Sequence, residues 1–367
     1  MPKVSVIIPS YNHEKYIAYA LESVLGQTFQ DFEIIINDDH SSDKTVEEIK
    51  KFKDPRIKLF ISTKNHGVCV AINNCLVLAK GKYIAHLNSD DAFFPEKLEK
   101  QVAYLDAHPE TGAVFTQAQM IDEGGSNIPD SEHFHGKMNS LENRNRFQWL
   151  NYFFYNCRWL WHPSMMMRKK VYDFIGYHNP CLAQIQDFDI GIRLSLKYEQ
   201  HIIQEKLTKF RIRAGEMNAS AATPKAVVRS MFEFSHVLKH YLKIMNIGEF
   251  IKIFPLSQEK YCDITDDELI PFYVARQTLE VEHVFHQKFA LDVLFDLLQN
   301  KKIVSKLNKQ SKFDYADFIE LTGKYDIYHV NHITYQDDLI KKLKGEIIRL
   351  KKPINRIRMA VNEIINK

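Results

Sequence analysis

VSVIIPSYN, residues Val4 to Asn12, opens the chain with a β-branched run that a proline then ends. The continuous run Val4–Ile8 is what a strand buried on both faces requires. Only three residues precede it, with a lone lysine among them; the run is too short for a signal-peptide core and has no cleavage-site pattern. Reading outward, helical spacing at Lys15–Leu25 leads to a second apolar run at Glu33–Asn37. Ser41, Ser42 and Asp43 offer N-cap chemistry to a helix over Lys44–Phe52. A third strand is expected at Arg56–Ser62, a helix at Val68–Ala79 and a fourth strand at Lys82–Leu87. Alternation at this spacing predicts an α/β fold with a mainly parallel sheet and right-handed crossovers. Such sheets bind ligands beyond the carboxyl ends of their strands, where the acidic motifs of this chain fall.

Further along, a helix is expected at Pro95–Asp106 and a strand at Gly112–Ile121. The polar, turn-rich segment Asp122–Asn145 reads as a long surface loop, a kind of segment that often carries function. The aromatic stretch Phe147, Trp149, Tyr152, Phe153, Phe154, Tyr155, Trp159, Trp161 fits core packing before it fits an acceptor-binding surface. From about Pro224 the character changes to helical spacing, at Ala226–Met245, Phe272–Gln299 and Tyr315–Val330. The division expected is therefore 1–222 for the α/β domain and 223–367 for an α-helical C-terminal region. The final stretch Asp338–Lys367 places Leu339, Leu343, Ile347, Leu350, Ile354, Ile357 and Val361 on one helical face, with Lys and Arg opposite. Pro353 is expected to kink or interrupt that helix. A basic amphipathic helix suits either peripheral contact with an anionic membrane or packing on a protein partner, a second copy included.

Charges nearly cancel, 49 Lys+Arg against 46 Asp+Glu, which argues against a dedicated nucleic-acid binder. Five cysteines without a C-x-x-C pair suggest neither a disulfide framework nor a zinc site. With no run of 18 apolar residues, a cytoplasmic protein is expected, with the inner face of the cell membrane as its one peripheral station.

Three acidic motifs follow predicted strands or open a helix. Asn37-Asp38-Asp39-His40-Ser41-Ser42-Asp43 puts two carboxylates at a strand end, where burial is costly without hydrogen-bond or cation partners. One can accept from a ligand N–H such as a nucleobase imide, and a capping turn explains the motif equally. Asn88-Ser89-Asp90-Asp91 reads either as an acidic surface turn, where such pairs are common, or as carboxylates for a hard divalent ion, Mn²⁺ or Mg²⁺, that neutralises a departing diphosphate. Gln186-Asp187-Phe188-Asp189 opens a helical run, either as first-turn acids that complement the helix dipole or as a base for an attacking hydroxyl. His283 and His286, three apart on a helix, have no acid pattern nearby and read as structural.

Taken in order with their surroundings, these motifs resemble glycosyltransferase family 2, the inverting, nucleotide-sugar-dependent family with a GT-A fold. VSVIIPSYNHEKYI, DFEIIINDDHSSDKT, NHGVCVAINNCLVLAKGKYIAHLNSDD and HPSMMMRKKVYDFIGYHNPCLAQIQDFDIGIRL carry the resemblance, which covers about residues 1–220. It implies a Rossmann-like mixed, mainly parallel sheet and transfer of a sugar from a nucleotide-diphosphate donor, UDP by family habit. The acceptor it implies is a hydroxyl of a glycan or lipid-linked glycan in bacterial-type surface polysaccharide synthesis. By position, Pro9, Tyr11 and Asp39 resemble nucleobase contacts, Asp91 the direct metal ligand with Asp90 assisting near the ribose, and Asp187 the general base. Arg213 stands where a His is common and is expected to reach a donor phosphate, while Arg211–Ser220 resembles a segment that closes over the donor. His162, Trp161 and Gln186 are candidates for the acceptor side, and His133 and His135 can visit it from their loop. Three positions depart from the family pattern: Ile72 where Arg is frequent, Asn88 where Asp is frequent, and Gln186 where Glu is frequent. The first two are the support for an alternative, a non-catalytic subunit that binds nucleotide sugar or glycan on the same fold.

Overall fold

The computed structural model describes residues 1–213, 223–260 and 265–365, the side chains of residues 258, 260, 332, 348–361 and 363–365 excepted. β1 (Val4–Ser10) and β2 (Phe32–Asp38) are buried at every position, as their unbroken apolar runs require. Between them α1 (Ile17–Leu25) lays Ile17, Ala20, Leu21 and Val24 into the same core cluster as Val4, Val6 and Ile8. α2 (Thr45–Lys51), β3 (Ile57–Ile61), α3 (Val68–Leu78) and β4 (Tyr83–His86) complete the expected alternation. β5 (Ala92–Phe93), α4 (Lys97–Ala107) and β6 (Thr111–Ile121) follow. The chain then runs through α5 (Arg146–Asn156), β7 (Met166–Arg168), α6 (Lys169–Ile175), α7 (Gln186–Ser195) and β8 (Glu199–Arg211).

The eight strands form one sheet in the order β3-β2-β1-β4-β7-β6-β8-β5. β1 pairs in parallel with both β2 and β4, and β2 with β3, while β7 is antiparallel to β4 and β6. Strand order therefore reverses across the β1–β4 seam, and ligands of open α/β sheets sit beyond the carboxyl ends at such a reversal. This is the Rossmann-like, mainly parallel mixed sheet flanked by helices that the sequence resemblance implies.

Asp122–Asn145 is more structured than a free surface loop. It forms two 3₁₀ turns, Asp130–Glu132 and Phe134–Ser140. Buried Asn139 ties the second to β6, accepting from the Ala118 amide (3.0 Å) and donating to its carbonyl (2.8 Å). Trp149, Phe153, Phe154, Trp159 and Trp161 of the aromatic stretch are buried.

By contacts the chain divides into two units, Met1–Gln277 and Thr278–Lys367. The change of composition near Pro224 marks the end of the strands, but the first unit continues through α8 (Pro224–Val237), α9 (Ile247–Ile253), α10 (Ser257–Lys260) and most of α11 (Ile270–Thr278). Polar anchors make α8 and α9 part of it: Glu233 and Glu249 each bond residues of the α/β portion. The second unit holds α12 (Val284–Leu298), α13 (Lys301–Ser311), α14 (Tyr315–Lys324) and α15 (Val330–Ile365). Phe272–Gln299 is thus two helices, and α15 runs through Pro353 without interruption, contrary to the break expected there. Among the described residues, no helix is long and apolar enough to cross a membrane.

Candidate active site

A cavity of about 460 Å³ lies at the carboxyl ends of β1 and β4, and its walls are built from segments far apart in sequence. The first wall carries Pro9, Tyr11 and Asp39. Tyr11 is 45% exposed, unusual for a tyrosine in a concave site, and its ring is open to a ligand. Asp38 and Asp39 divide their work. Asp38 is wholly buried and accepts from the Ser41 amide (2.8 Å) and hydroxyl (2.6 Å), which builds the turn. Asp39 accepts from the amides of His66 (3.0 Å) and Gly67 (2.7 Å), drawing that loop over the cavity. Gly67 has φ of +90°, a conformation that a side chain would strain.

The second wall is the Asn88–Asp91 turn. Asp91 is 1% exposed and does not line the cavity. Its carboxylate accepts from the Arg211 amide (2.8 Å) and from Asn88 Nδ2 (2.8 Å). Burial and the adjacent Asp90 carboxylate push its pKa well above the ordinary range. Asp90 does line the cavity, with Oδ2 at 3.9 Å from both His13 Nε2 and Arg213 Nη1. The Arg213 guanidinium donates to His13 Nε2 at 2.9 Å, so the ring proton sits on Nδ1 and is donated to Ser89 Oγ at 2.7 Å. Burial lowers the His13 pKa and keeps this arrangement neutral on the imidazole. Asn88 fits here better than an aspartate, because its amide donates to a buried carboxylate that a second acid would repel.

The third wall holds Trp161, His162, Gln186 and Asp187, with His135 from the structured loop. Trp161 donates to Asn139 Oδ1 at 2.9 Å and so fixes the loop against the cavity. Gln186 Oε1 and His162 Nε2 are buried without a hydrogen-bond partner. Asp187 Oδ1 accepts from the Phe188 amide at 2.8 Å. A first-turn position on α7 favours its charged form, but burial outweighs this and raises the pKa from 3.8 to about 6. Two residues on, Asp189 is held by Arg193 Nε (2.9 Å) and His240 Nε2 (2.7 Å), which clamps α7.

The residues expected on the donor and acceptor sides border this one cavity with the exception of His133, and Asp91 stands behind it. The segment after Arg213 expected to close over the donor lies outside the described residues. Ile72 is wholly buried in α3, and Val68 and Ala71 of that helix face the cavity instead. Sequence reading missed His13, Arg211 and Glu233. His13 sat inside a motif segment and had a detectable signal in that position. Glu233, 1% exposed on α8, accepts from the amides of Ala183 (2.8 Å), Gln184 (2.9 Å) and Ile185 (3.1 Å) just before the base candidate. Nothing local marks a carboxylate 48 residues from the loop it holds. Among the described residues, no group of three His, Cys, Asp or Glu is placed to hold a metal ion by itself.

An open α/β sheet with an acid-lined cavity at its strand-order reversal places this chain among proteins that bind a ligand beyond the carboxyl ends of their strands. The family model for glycosyl transferase family 2 matches residues 5–176. A glycosyltransferase of Methanocaldococcus jannaschii, MJ1057, is 30% identical over 286 residues, covering 77% of this chain and 94% of that protein. The Escherichia coli UDP-Glc:alpha-D-GlcNAc-diphosphoundecaprenol beta-1,3-glucosyltransferase WfgD is 42% identical over 102 residues, 28% of this chain and 40% of WfgD. The crystal structure of S. aureus TarS 1-349 with UDP-GlcNAc shares the fold, with a TM-score of 0.54 at 20% identity, covering 78% of this chain and 83% of that one. The chain belongs to glycosyltransferase family 2 and is a glycosyltransferase with a GT-A fold.

Proposed function

We propose that this glycosyltransferase moves one sugar, with inversion, from a nucleotide-diphosphate donor to an acceptor hydroxyl. The observation that carries the reading is the Asp187 carboxyl, raised to about 6 on the wall of the cavity that Asp90 also borders. A base of that pKa is ionised at neutral pH yet basic enough to take a proton from a hydroxyl as it attacks. A single carboxylate in that role gives a one-step displacement and hence inversion. Tyr11 offers its ring to the nucleobase, and Asp39 keeps lone pairs for an N–H of that base beyond those spent on the loop. Arg213 and His13 stand where the diphosphate would lie, with the guanidinium as its countercharge.

A divalent ion fits the site through Asp90, whose carboxylate borders the cavity with ion pairs no closer than 3.9 Å among the described residues. Mn²⁺ or Mg²⁺ bound there would draw its remaining ligands from phosphate oxygens and water, neutralising the leaving diphosphate. The sequence reading gave the ion to Asp91 with Asp90 assisting; we propose the reverse, since Asp91 is 1% exposed, does not line the cavity and accepts from Arg211 and Asn88. A UDP-sugar donor and a lipid-linked glycan acceptor are supported by the likeness to WfgD, whose name carries both. Orphaned Gln186 Oε1 and His162 Nε2 are suited to sugar hydroxyls on the acceptor side. The alternative of a non-catalytic binding subunit loses its support, because Ile72 and Asn88 have packing reasons.

The test is transfer from a panel of nucleotide sugars with Mn²⁺ or Mg²⁺, for wild type, Asp187→Ala, Asp90→Asn and Asp91→Asn. Asp187→Ala should cost about 10²–10⁴ in rate with donor binding retained. Asp90→Asn should abolish the metal dependence of donor binding, and Asp91→Asn should chiefly lower thermal stability. Unchanged transfer in Asp187→Ala sinks the assignment of the base.

A further inference from the structure

We infer that α15 is one strand of a parallel coiled coil and that the occupant of its apolar face is a second copy of this chain. α15 is 36 residues long, about 54 Å at 1.5 Å per residue. In its described part Ile333 (53%), Ile340 (46%), Leu343 (48%) and Ile347 (51%) stand about half exposed along one stripe. Four such residues on a single helix exceed what scattered surface apolar residues explain.

The spacing identifies the occupant. Counted in sevens from Ile333, one position reads Ile333, Ile340, Ile347, Ile354, Val361, and the position three further on reads Gln336, Leu343, Leu350, Ile357, Ile364. Nine of these ten residues are aliphatic. The series alternates steps of three and four throughout, a strict 3.5-residue period. A straight helix repeats every 3.6 residues, so a 3.5-residue seam drifts by about 20° per heptad unless helices supercoil around each other. A helix lying on a flat bilayer has no reason to follow that drift. Supercoiling partners do.

Composition along the seam points to like strands. The first set is β-branched at all five positions, and leucine fills the second set at 343 and 350, the pairing that favours two parallel strands. Glu346 flanks the seam five residues before Lys351, the spacing at which parallel partners exchange attractive contacts. Their two-fold arrangement would place Glu346 of each copy opposite Lys351 of the other. Pro353 falls outside the seam, as does Gly345.

The experiment uses the full chain, of 43.1 kDa, in analytical ultracentrifugation between about 1 and 50 µM. Wild type should sediment with twice the chain mass at the upper concentrations. Ile340→Asp with Ile347→Asp should sediment as monomer while keeping its circular dichroism and thermal transition. Glu346→Lys and Lys351→Glu should each weaken dimerisation at least several-fold, and the two together should restore it. Restoration distinguishes a parallel seam from a general loss of helix. A wild-type monomer at 50 µM, or mass unmoved by the paired aspartates, overturns the proposal. So does a monomer that binds phosphatidylglycerol vesicles through this helix, the result expected of a membrane anchor.

Discussion

Replacing Asp187 by Asn should make the protein more stable and almost inactive, and the size of the first effect follows from the pKa. Burial lifts the Asp187 carboxyl from 3.8 to about 6. Each pKa unit corresponds to about 1.4 kcal/mol, so keeping the group ionised in the folded state costs up to about 3 kcal/mol above pH 7. The sign is that of a raised acid: its contribution to stability is fully present below the unfolded pKa near 4 and is lost as pH rises through 6. Asn keeps the acceptor for the Phe188 amide and carries no charge, so it removes the cost and spares the hydrogen bond. Wild type and Asp187→Asn should therefore unfold together at pH 4, and separate by about 1–3 kcal/mol at pH 8. In a domain of this size that is a rise of a few degrees per kcal/mol at most. Urea titrations at pH 4, 5, 6, 7 and 8 give the difference directly. In parallel, wild-type kcat/KM should fall about five-fold between pH 6 and pH 5 as the base is protonated. Equal stability of the two proteins at pH 8 would refute the reasoning, because a base raised by burial must be destabilising when charged.

Glu233→Ala should leave three amides, that of Ile185 buried, without their acceptor and cost about 1–3 kcal/mol. Because the Glu233 charge also raises the Asp187 pKa, Glu233→Gln should shift the acid limb of kcat/KM to lower pH, and an unmoved limb would count against the coupling. Gly191→Ala should destabilise α7 by about 1–3 kcal/mol, since the added carbon falls 2.1–2.4 Å from three ring atoms of Trp159. A melting temperature within 1 °C of wild type would show that the ring moves aside freely.

The strands and helices as far as β6 were legible, the two-residue β5 excepted, because each carries a local signal: period, caps, or an unbroken apolar run. Both ends of β1 follow from VSVIIPSYN alone, to within two residues. What the sequence could not convey were contacts closed over long separations. Asn139 reaching Ala118 turns a polar loop into a cavity wall, yet each residue by itself reads as loop or strand. Helical spacing at 224–253 is equally consistent with a separate region, and partners such as the buried Glu233 and the half-buried Glu249 join it to the sheet unit. At Pro353 a kink or an interruption was expected, and of the two the interruption is not found, since α15 is continuous through it.

The three acidic motifs share one arrangement, which bears on which acid of each pair is left to meet a ligand. Two carboxylates packed together at a strand or helix end repel each other and lose hydration, so both cannot remain without partners. In each motif the protein spends its donors on one acid and leaves the other at the cavity. Ser41 takes Asp38, Arg211 and Asn88 take Asp91, and Arg193 with His240 take Asp189. Asp39, Asp90 and Asp187 are left bordering the cavity, although the loop backbone shares Asp39. The held member is the first of its pair in one motif and the second in the other two, so order within the motif carries no rule. At Asp91 and Asp189 a distant donor takes part, Arg211 at 120 residues and His240 at 51, whereas Asp38 is held by the local Ser41 and the distant amides of His66 and Gly67 reach Asp39. A pair of acids therefore marks where a ligand's charge is met, and the partners of each acid, not its place in the pair, bear on which of the two meets it.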